Sequence, residues 1–398
     1  MPGYELYDDI ERKELMDVIQ SGIFMRYGFD GARGGHWKAK ELESAIRERF
    51  GTPFAQLTSS GTTALHTTLA ALGIGAGDEV IVPTFTFVAS FEAILMAGAI
   101  PVLADIDETL CLDPADVKRK ITSRTKAIMP VHMCGSMADL DALSSLCKAH
   151  HLLLIEDACQ AIGATYHGRC LGTIGDAGCF SFDFVKTITC GEGGVVMTPH
   201  AEVYQKADMF QDHGHDHLGN DRGAEQHPYI GLNYRISELH AAVGLGQIKK
   251  LDLFLSLQRR NKRILSEALQ SIPQVSFRVI PDPEGDSATF LSFSLPDAST
   301  ARLAAQAIKE AGIEGTFYYF DNHWHYIRNW HHFKERKSMM PLSSDILSGM
   351  PDYSTMDFSA SDRIISRSIS IAIRIGWTES EVAERAERLH KAVLSVLS

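Results

Sequence analysis

The feature that most restricts how this chain can fold is an alternation, between residues 54 and 155, of short apolar runs with stretches of helical spacing. The runs are Phe54–Thr58, Val80–Pro83, Pro101–Ala104, Ala127–Val131 and Leu152–Ile155, each bounded by turn residues. Between them lie helical patterns such as Ala64–Leu72 and Leu140–His150. Short strands that are apolar on both faces and separated by helices predict a mostly parallel sheet covered on both sides. The fold class expected is therefore α/β, with a large domain of this kind and a smaller C-terminal α+β domain.

With 398 residues, 45% of them hydrophobic, the chain is long enough for both domains. Residues 1–50 predict two helices, Asp9–Gln20 and Trp37–Phe50, joined by a glycine-rich loop over 27–35 that reads as an active-site rim or a free arm. Residues 51–255 form the α/β domain and 256–398 the small domain, with one long helix, Glu238–Leu269, at the boundary. A net charge of −12, with no basic block, argues against nucleic acid or an anionic membrane as partner. No apolar run approaches the roughly 18 to 20 residues that span a bilayer, and no apolar leader precedes Tyr7, so a cytoplasmic protein is expected. The seven cysteines are scattered singly, which predicts neither disulfides nor a zinc site. Asp212–His217 carries three alternating histidines, but without helical i, i+4 spacing it reads as a polar loop, and no metal is expected.

Four features carry chemistry. Lys186 sits between a β-like run, Gly178–Phe182, and the turn Gly191-Glu-Gly-Gly194. A lysine amine partly withdrawn from water is favoured in its neutral form, which can form an imine with an aldehyde. Ser60-Gly61-Thr62, between a strand and a helix start, reads either as an N-cap or as an anion cradle. Asp157 ends a strand, where open α/β sheets bind ligands, although an aspartate there also caps helices. The segment Phe317–Arg328, with His323 and His325, is either a packed interface or a substrate rim. A phosphate cradle, an aromatic (Phe87), a strand-end carboxylate with Gln160, and Ser181 five residues before Lys186 are the parts that a pyridoxal phosphate site needs.

Ser60–Leu65, Gly77–Phe87, Glu156–Gln160, Ser181-Phe182 with Lys186, Gly191–Gly194 and Gly231–Arg235 resemble the DegT/DnrJ/EryC1/StrS sugar aminotransferases over nearly the whole chain. The resemblance implies the fold-type I architecture of pyridoxal 5′-phosphate (PLP) enzymes. It implies that Lys186 binds the cofactor aldehyde, Asp157 pairs with the ring nitrogen and Phe87 stacks on the ring. Gln160 would lie near the ring substituents, and Gly61, Thr62 and Ser181 would hold the phosphate. Asn233 would reach the phosphate of a neighbouring subunit, in a homodimer with shared sites. Some members with histidine at the lysine position are dehydratases, so Lys186 favours transamination. A non-catalytic regulator, one alternative, would be expected to lose Lys186 or Asp157.

Further stretches, Met1–Tyr7, His132–Ala138, Asp212–His217 and Pro281–Ser287, resemble a branch that aminates the C8 aldehyde of an oxidised acidic octulosonate sugar, with L-glutamate as donor, for lipopolysaccharide. A nucleotide-linked keto sugar is the other acceptor this family takes. Both glutamate and an acidic sugar carry carboxylates, which makes Arg26, Arg33, Arg235 and Arg374 candidate substrate ligands, with His323 and His325 beside them.

Overall fold

The computed structural model describes residues 2–219 and 222–397; Met1, the first residue of the Met1–Tyr7 stretch, lies outside them. Two helices open the chain, α1 (Asp9–Ser21) and α2 (Lys38–Phe50), close to the spans expected. Asp8 caps α1 with a reciprocal bond to Glu11, and Gly22 and Gly51 end the two helices in the left-handed conformation that glycine tolerates best.

The α/β region follows as β1 (Phe54–Thr58), α3 (Gly61–Ala71), β2 (Glu79–Pro83), α4 (Ala89–Met96), β3 (Ile100–Ala104), α5 (Pro114–Lys120), β4 (Thr125–Ile128), α6 (Leu140–His150) and β5 (Leu153–Asp157). A small hairpin, β6 (Thr165–Tyr166) and β7 (Arg169–Cys170), precedes β8 (Ala177–Ser181) and β9 (Gly194–Thr198). Seven strands form one sheet in the order β1-β9-β8-β5-β4-β2-β3. Only β9 runs against the others, pairing antiparallel with both β1 and β8. The remaining pairs, β8 with β5, β5 with β4, β4 with β2 and β2 with β3, are parallel. This is the mostly parallel α/β sheet expected, and its central strands are buried along their length.

One consequence of that order positions the site. The carboxyl ends of β1, β2, β5 and β8 and the amino end of β9 meet at a single edge, because Gly194 pairs with both Thr58 and Ser181. Residues at strand ends that are far apart in sequence therefore converge there.

After α7 (Ala201–Phe210), the chain runs through α8 (Glu238–Ile248) and α9 (Leu251–Gln270). The single helix expected over Glu238–Leu269 is thus two. At the break, Lys250 is drawn inward, its ammonium bonding the Leu6 carbonyl and pairing with Glu11, so the chain changes direction without a glycine or proline. A four-stranded antiparallel sheet, β10 (Ser276–Phe277), β11 (Phe290–Ser294), β13 (Ser368–Ala372) and β12 (Thr316–Phe317) in that order, carries a separate core with the helices Ala298–Glu310 and Glu379–Leu394. The segment from Tyr319 to Ile365 packs instead into the core of the large sheet, with Tyr326 and Trp330 fully buried. Among the described residues, no helix is long and apolar enough to cross a membrane.

Candidate active site

At the converging sheet edge lies a cavity of about 670 Å³ whose wall includes Gly61, Thr62, Phe87, Asp157, Gln160, Ser181 and Lys186. The sequence separates these seven residues by up to 125 positions (186 − 61), and the fold brings all of them together.

The cradle forms where β1 turns into α3. Ser60 caps the helix by accepting the Thr63 N–H at 3.1 Å, which leaves the N–H groups of Gly61 and Thr62 at the open helix end. A helix end with free N–H groups and a favourable dipole attracts an anion. Ser181, from the end of β8, is so close that a Cβ on Gly61 would stand 2.7 Å from its Cβ and 3.0 Å from its Oγ. A side chain at 61 would fill the cradle, so glycine is required there by space.

Asp157 ends β5 with its side chain fixed from two sides. Ser90 Oγ donates to Oδ2 at 2.7 Å, and the Cys159 N–H donates to Oδ1 at 3.2 Å. Ser90 is itself held by Thr86 Oγ1 at 2.6 Å. The carboxylate is thus a positioned anion rather than a helix cap. Ser90 and Thr86 were missed in the sequence, where a serine seven residues after a proline-ended strand gives no signal of its partner. Gln160 Oε1 accepts the Cys134 N–H at 2.9 Å, which orients its amide. The neighbouring Glu156 turns the other way, accepting from Gly172, Ile174 and Gly175 N–H groups, and anchors the loop behind the sheet.

Lys186 lies partly buried on the loop after β8 and lines the cavity; among the described residues no carboxylate pairs with its ammonium. The loop is pinned from outside by the chain's start, where the Gly3 N–H donates to the Lys186 carbonyl at 2.9 Å and Tyr4 stacks on Phe184 at 4.4 Å. A Cβ on Gly3 would come within 2.4 Å of the Thr187 carbonyl oxygen, so this strap needs glycine.

The segment from Asn322 to Ile327 lies along residues 84–88, through Thr86 N–H to His325 O and Val88 N–H to Trp324 O, both at 3.0 Å. That contact places His325 in the cavity wall, its ring 5.4 Å from that of Phe87. Burial, with the Lys186 charge, pulls the His325 pKa down to about 4, so the ring is neutral at physiological pH. Asn322 Oδ1 already accepts the Trp324 N–H, so His325 Nδ1, 2.9 Å away, is the protonated nitrogen. Its Nε2 is left as an acceptor. His323, by contrast, is exposed and does not line the cavity.

Of the four arginines expected near substrate, only Arg374 lines this cavity, and its guanidinium is bound to Glu5 and, at 3.1 Å, to Glu314. Arg26 is buried against Glu43, Arg33 bonds the Gly28 and Met25 carbonyls, and Arg235 is paired with Asp212. In each case a carboxylate or carbonyl has claimed the guanidinium within the chain. Asn233 also lies outside its own chain's cavity and is exposed. The histidine-rich stretch is an ion-pair hub: burial would raise the Asp212 carboxyl, but bonds from His217 and Arg222 and the charge of Arg235 hold it well below the usual carboxylate range. Among the described residues no cluster suited to a metal ion occurs.

The fold and this site together define a member of the vitamin B6-dependent aminotransferases of fold type I. The model of the DegT/DnrJ/EryC1/StrS aminotransferase family matches residues 9–383, and the chain belongs to that family. It is similar to the GDP-perosamine synthase of Vibrio cholerae, 40% identical over 69% of this chain and 72% of that protein. It is also similar to the GDP-perosamine synthase of Caulobacter vibrioides, 43% identical over 55% of this chain but only 58% of that protein's length. Among solved structures, that of 3-amino-5-hydroxybenzoic acid synthase matches with a TM-score of 0.81 and 29% identity, over 98% of this chain and 97% of that one. An aminotransferase of Helicobacter pylori involved in pseudoaminic acid biosynthesis matches in fold, with a TM-score of 0.83 at 23% identity over 98% and 97% of the two chains.

PLP is the cofactor of this family, and the residues present fit it. The cradle is closed to any side chain at 61, a lysine with no carboxylate partner among the described residues stands in the same cavity as a fixed carboxylate, and an aromatic ring, Phe87, lines that cavity too.

Proposed function

We propose that the protein is a PLP-dependent sugar aminotransferase working by two half-reactions, first taking an amino group from an amino acid and then giving it to a sugar carbonyl. The observation that carries this reading is the convergence of Lys186, Asp157 and the Gly61-Thr62-Ser181 cradle in one cavity. When bound, PLP supplies an electron sink for the carbanion at the amino-acid Cα. The chain's own residues do the rest. The open end of α3 and Ser181 would hold the phosphate; Asp157, held by Ser90, would keep a proton on the ring nitrogen; Phe87 would supply an aromatic contact for the ring. Lys186 would move the proton as general base and acid.

Two acceptors divide the finer reading. Similarity to two GDP-perosamine synthases supports a nucleotide-linked keto sugar. The second reading is the C8 aldehyde of oxidised 3-deoxy-D-manno-octulosonate with glutamate as donor, the reaction of 8-amino-3,8-dideoxy-D-manno-octulosonate transaminase in lipopolysaccharide assembly. The observation favouring it is that Arg374 lines the cavity beside the chain's own Pro2 and Tyr4. Exposed Asn233, with Tyr229 57% and Ile230 93% exposed nearby, supports a homodimer in which this loop meets the partner. Turnover of a GDP-linked 4-keto sugar against the C8-oxidised octulosonate, each with glutamate, tests the choice. Efficient turnover of only one assigns the acceptor, and turnover of neither removes both readings.

A further inference from the structure

A second cavity, of about 590 Å³, shares no lining residue with the first. It is built on one face of α2, where Lys40, Glu43, Ser44 and Arg47 follow at helical spacing, and it is closed by Tyr27, Trp37 and Tyr204. Among the described residues, five cations line it, of which Arg222 and His217 are already paired with Asp212. Arg26, 3% exposed, gives only its Nη2 to Glu43, at 2.6 and 2.7 Å, and its Nε and Nη1 have no hydrogen-bond partner. Lys40 and Arg47 make no ion pair among the described residues; Lys40 lies 3.3 Å from the Trp37 ring centre, and Arg47 bonds only Ser44 Oγ at 3.1 Å.

Three of the four described carboxylates on the same wall are engaged within the chain. Glu43 holds Arg26 and the Leu57 N–H, Asp208 accepts from Tyr27 and pairs with His217, and Glu225 pairs with His215; Asp30 stands exposed at the rim. A buried guanidinium with three idle N–H bonds, on Nε and Nη1, is costly unless something accepts from it. The cavity therefore offers two cations, Lys40 and Arg47, without ion pairs among the described residues, and the idle donors of Arg26, against the exposed Asp30 and a Glu225 Oε2 that makes no hydrogen bond, beside aromatic faces suited to an organic body.

We propose that this cavity binds a small molecule bearing an oxyanion, a carboxylate or a phosphate, with Lys40 and Arg47 as its primary ligands and Arg26 behind them. Burial and the charge of Arg26 pull the Lys40 pKa down, and a bound anion would reverse that. The assignment goes beyond the transaminase reading and does not depend on it, since no residue of the Lys186 cavity takes part.

The test is calorimetric titration of the PLP-loaded protein with inorganic phosphate and, separately, with glutarate, a dicarboxylate that has no amino group to transfer. Saturable binding of at least one is expected, weakened at least tenfold, or about 1.4 kcal/mol, in Lys40→Gln/Arg47→Gln. The charge-conserving pair Lys40→Arg/Arg47→Lys should retain it, as should Arg374→Gln in the other cavity. Both side chains are exposed, so the variants should keep the parent's cofactor absorbance and melting temperature. Binding of phosphate alone assigns the phosphate class, and of glutarate alone the carboxylate class; mutual competition assigns a general oxyanion site. Absence of saturable binding by both, or equal affinity in the parent and in Lys40→Gln/Arg47→Gln, overturns the proposal.

Discussion

Replacing Gly194 by alanine probes how tightly the sheet holds the phosphate cradle. Gly194 is the first residue of β9, paired with Thr58 on one side and Ser181 on the other. A Cβ there would stand 2.3 Å from the Ser60 carbonyl oxygen, 2.6 Å from its carbon and 2.9 Å from the Gly61 nitrogen. These are backbone atoms, so no rotamer change relieves the clash. The carbonyl oxygen would have to retreat by about 0.7 Å merely to reach a separation of 3.0 Å, a strain on the order of 1–3 kcal/mol by comparison with overpacked cores. Part of that strain must move the start of α3, which carries the cradle. Displacements on the order of 1 Å at a binding site cost about a hundredfold where geometry matters. We expect the variant to fold, melt a few degrees lower, and bind PLP at least about tenfold more weakly. The assay is absorbance titration of the apoprotein with PLP, beside a melting curve. Parent affinity at an unchanged melting temperature would show that β9 does not buttress the cradle, and the reasoning from Gly194 would fail.

Asp157→Asn can keep the Cys159 contact through its amide oxygen and donate its amide N–H to Ser90 Oγ, but it removes the charge, so the glutamate half-reaction should slow by about 10²–10³, on the scale of a lost electrostatic contact. A single-turnover rate within twofold of the parent would leave Asp157 with only a structural role in the turn after β5. Glu5→Gln leaves Arg374 with Glu314 as its remaining acid, so KM for a carboxylate-bearing acceptor should fall, whereas Arg374→Ala should raise it by about tenfold. If neither variant shifts KM, Arg374 is a strut for the N-terminal strap. His217 is lifted to about 9, because its bonds to Asp208 and Asp212 outweigh the effect of burial. A raised folded pKa stabilises fully below the unfolded value near 6.5 and is lost as pH rises through 9, a contribution of about 3 kcal/mol at most. The parent's melting temperature should therefore fall between pH 6.5 and 9 more steeply than that of His217→Gln; parallel curves would remove His217 as the cause.

The sequence carried the large sheet because each strand is an apolar run closed by its own turn, and it carried the site because strand ends in such a sheet point to one edge. Lys186, Asp157, Ser181 and the Gly61-Thr62 turn all stand at those ends, so their order along the chain already implied convergence. What stayed hidden depends on contacts between distant segments. The break between α8 and α9 comes from Lys250 reaching Leu6 and Glu11, and no local residue announces it. Ser90 positions Asp157 from 67 residues away. The arginines were legible as cations but not as paired ones, since Glu43, Asp212 and Glu5 neutralise Arg26, Arg235 and Arg374 across separations a linear reading cannot see.

The central claim is that Lys186 is the amine that binds PLP. Reducing the PLP-loaded protein with borohydride and mapping the modified peptide by mass spectrometry tests it directly. The account predicts one modified peptide, spanning Lys186, and no fixation of cofactor in Lys186→Ala. Modification at any other lysine of the parent, with residue 186 unlabelled, would contradict it.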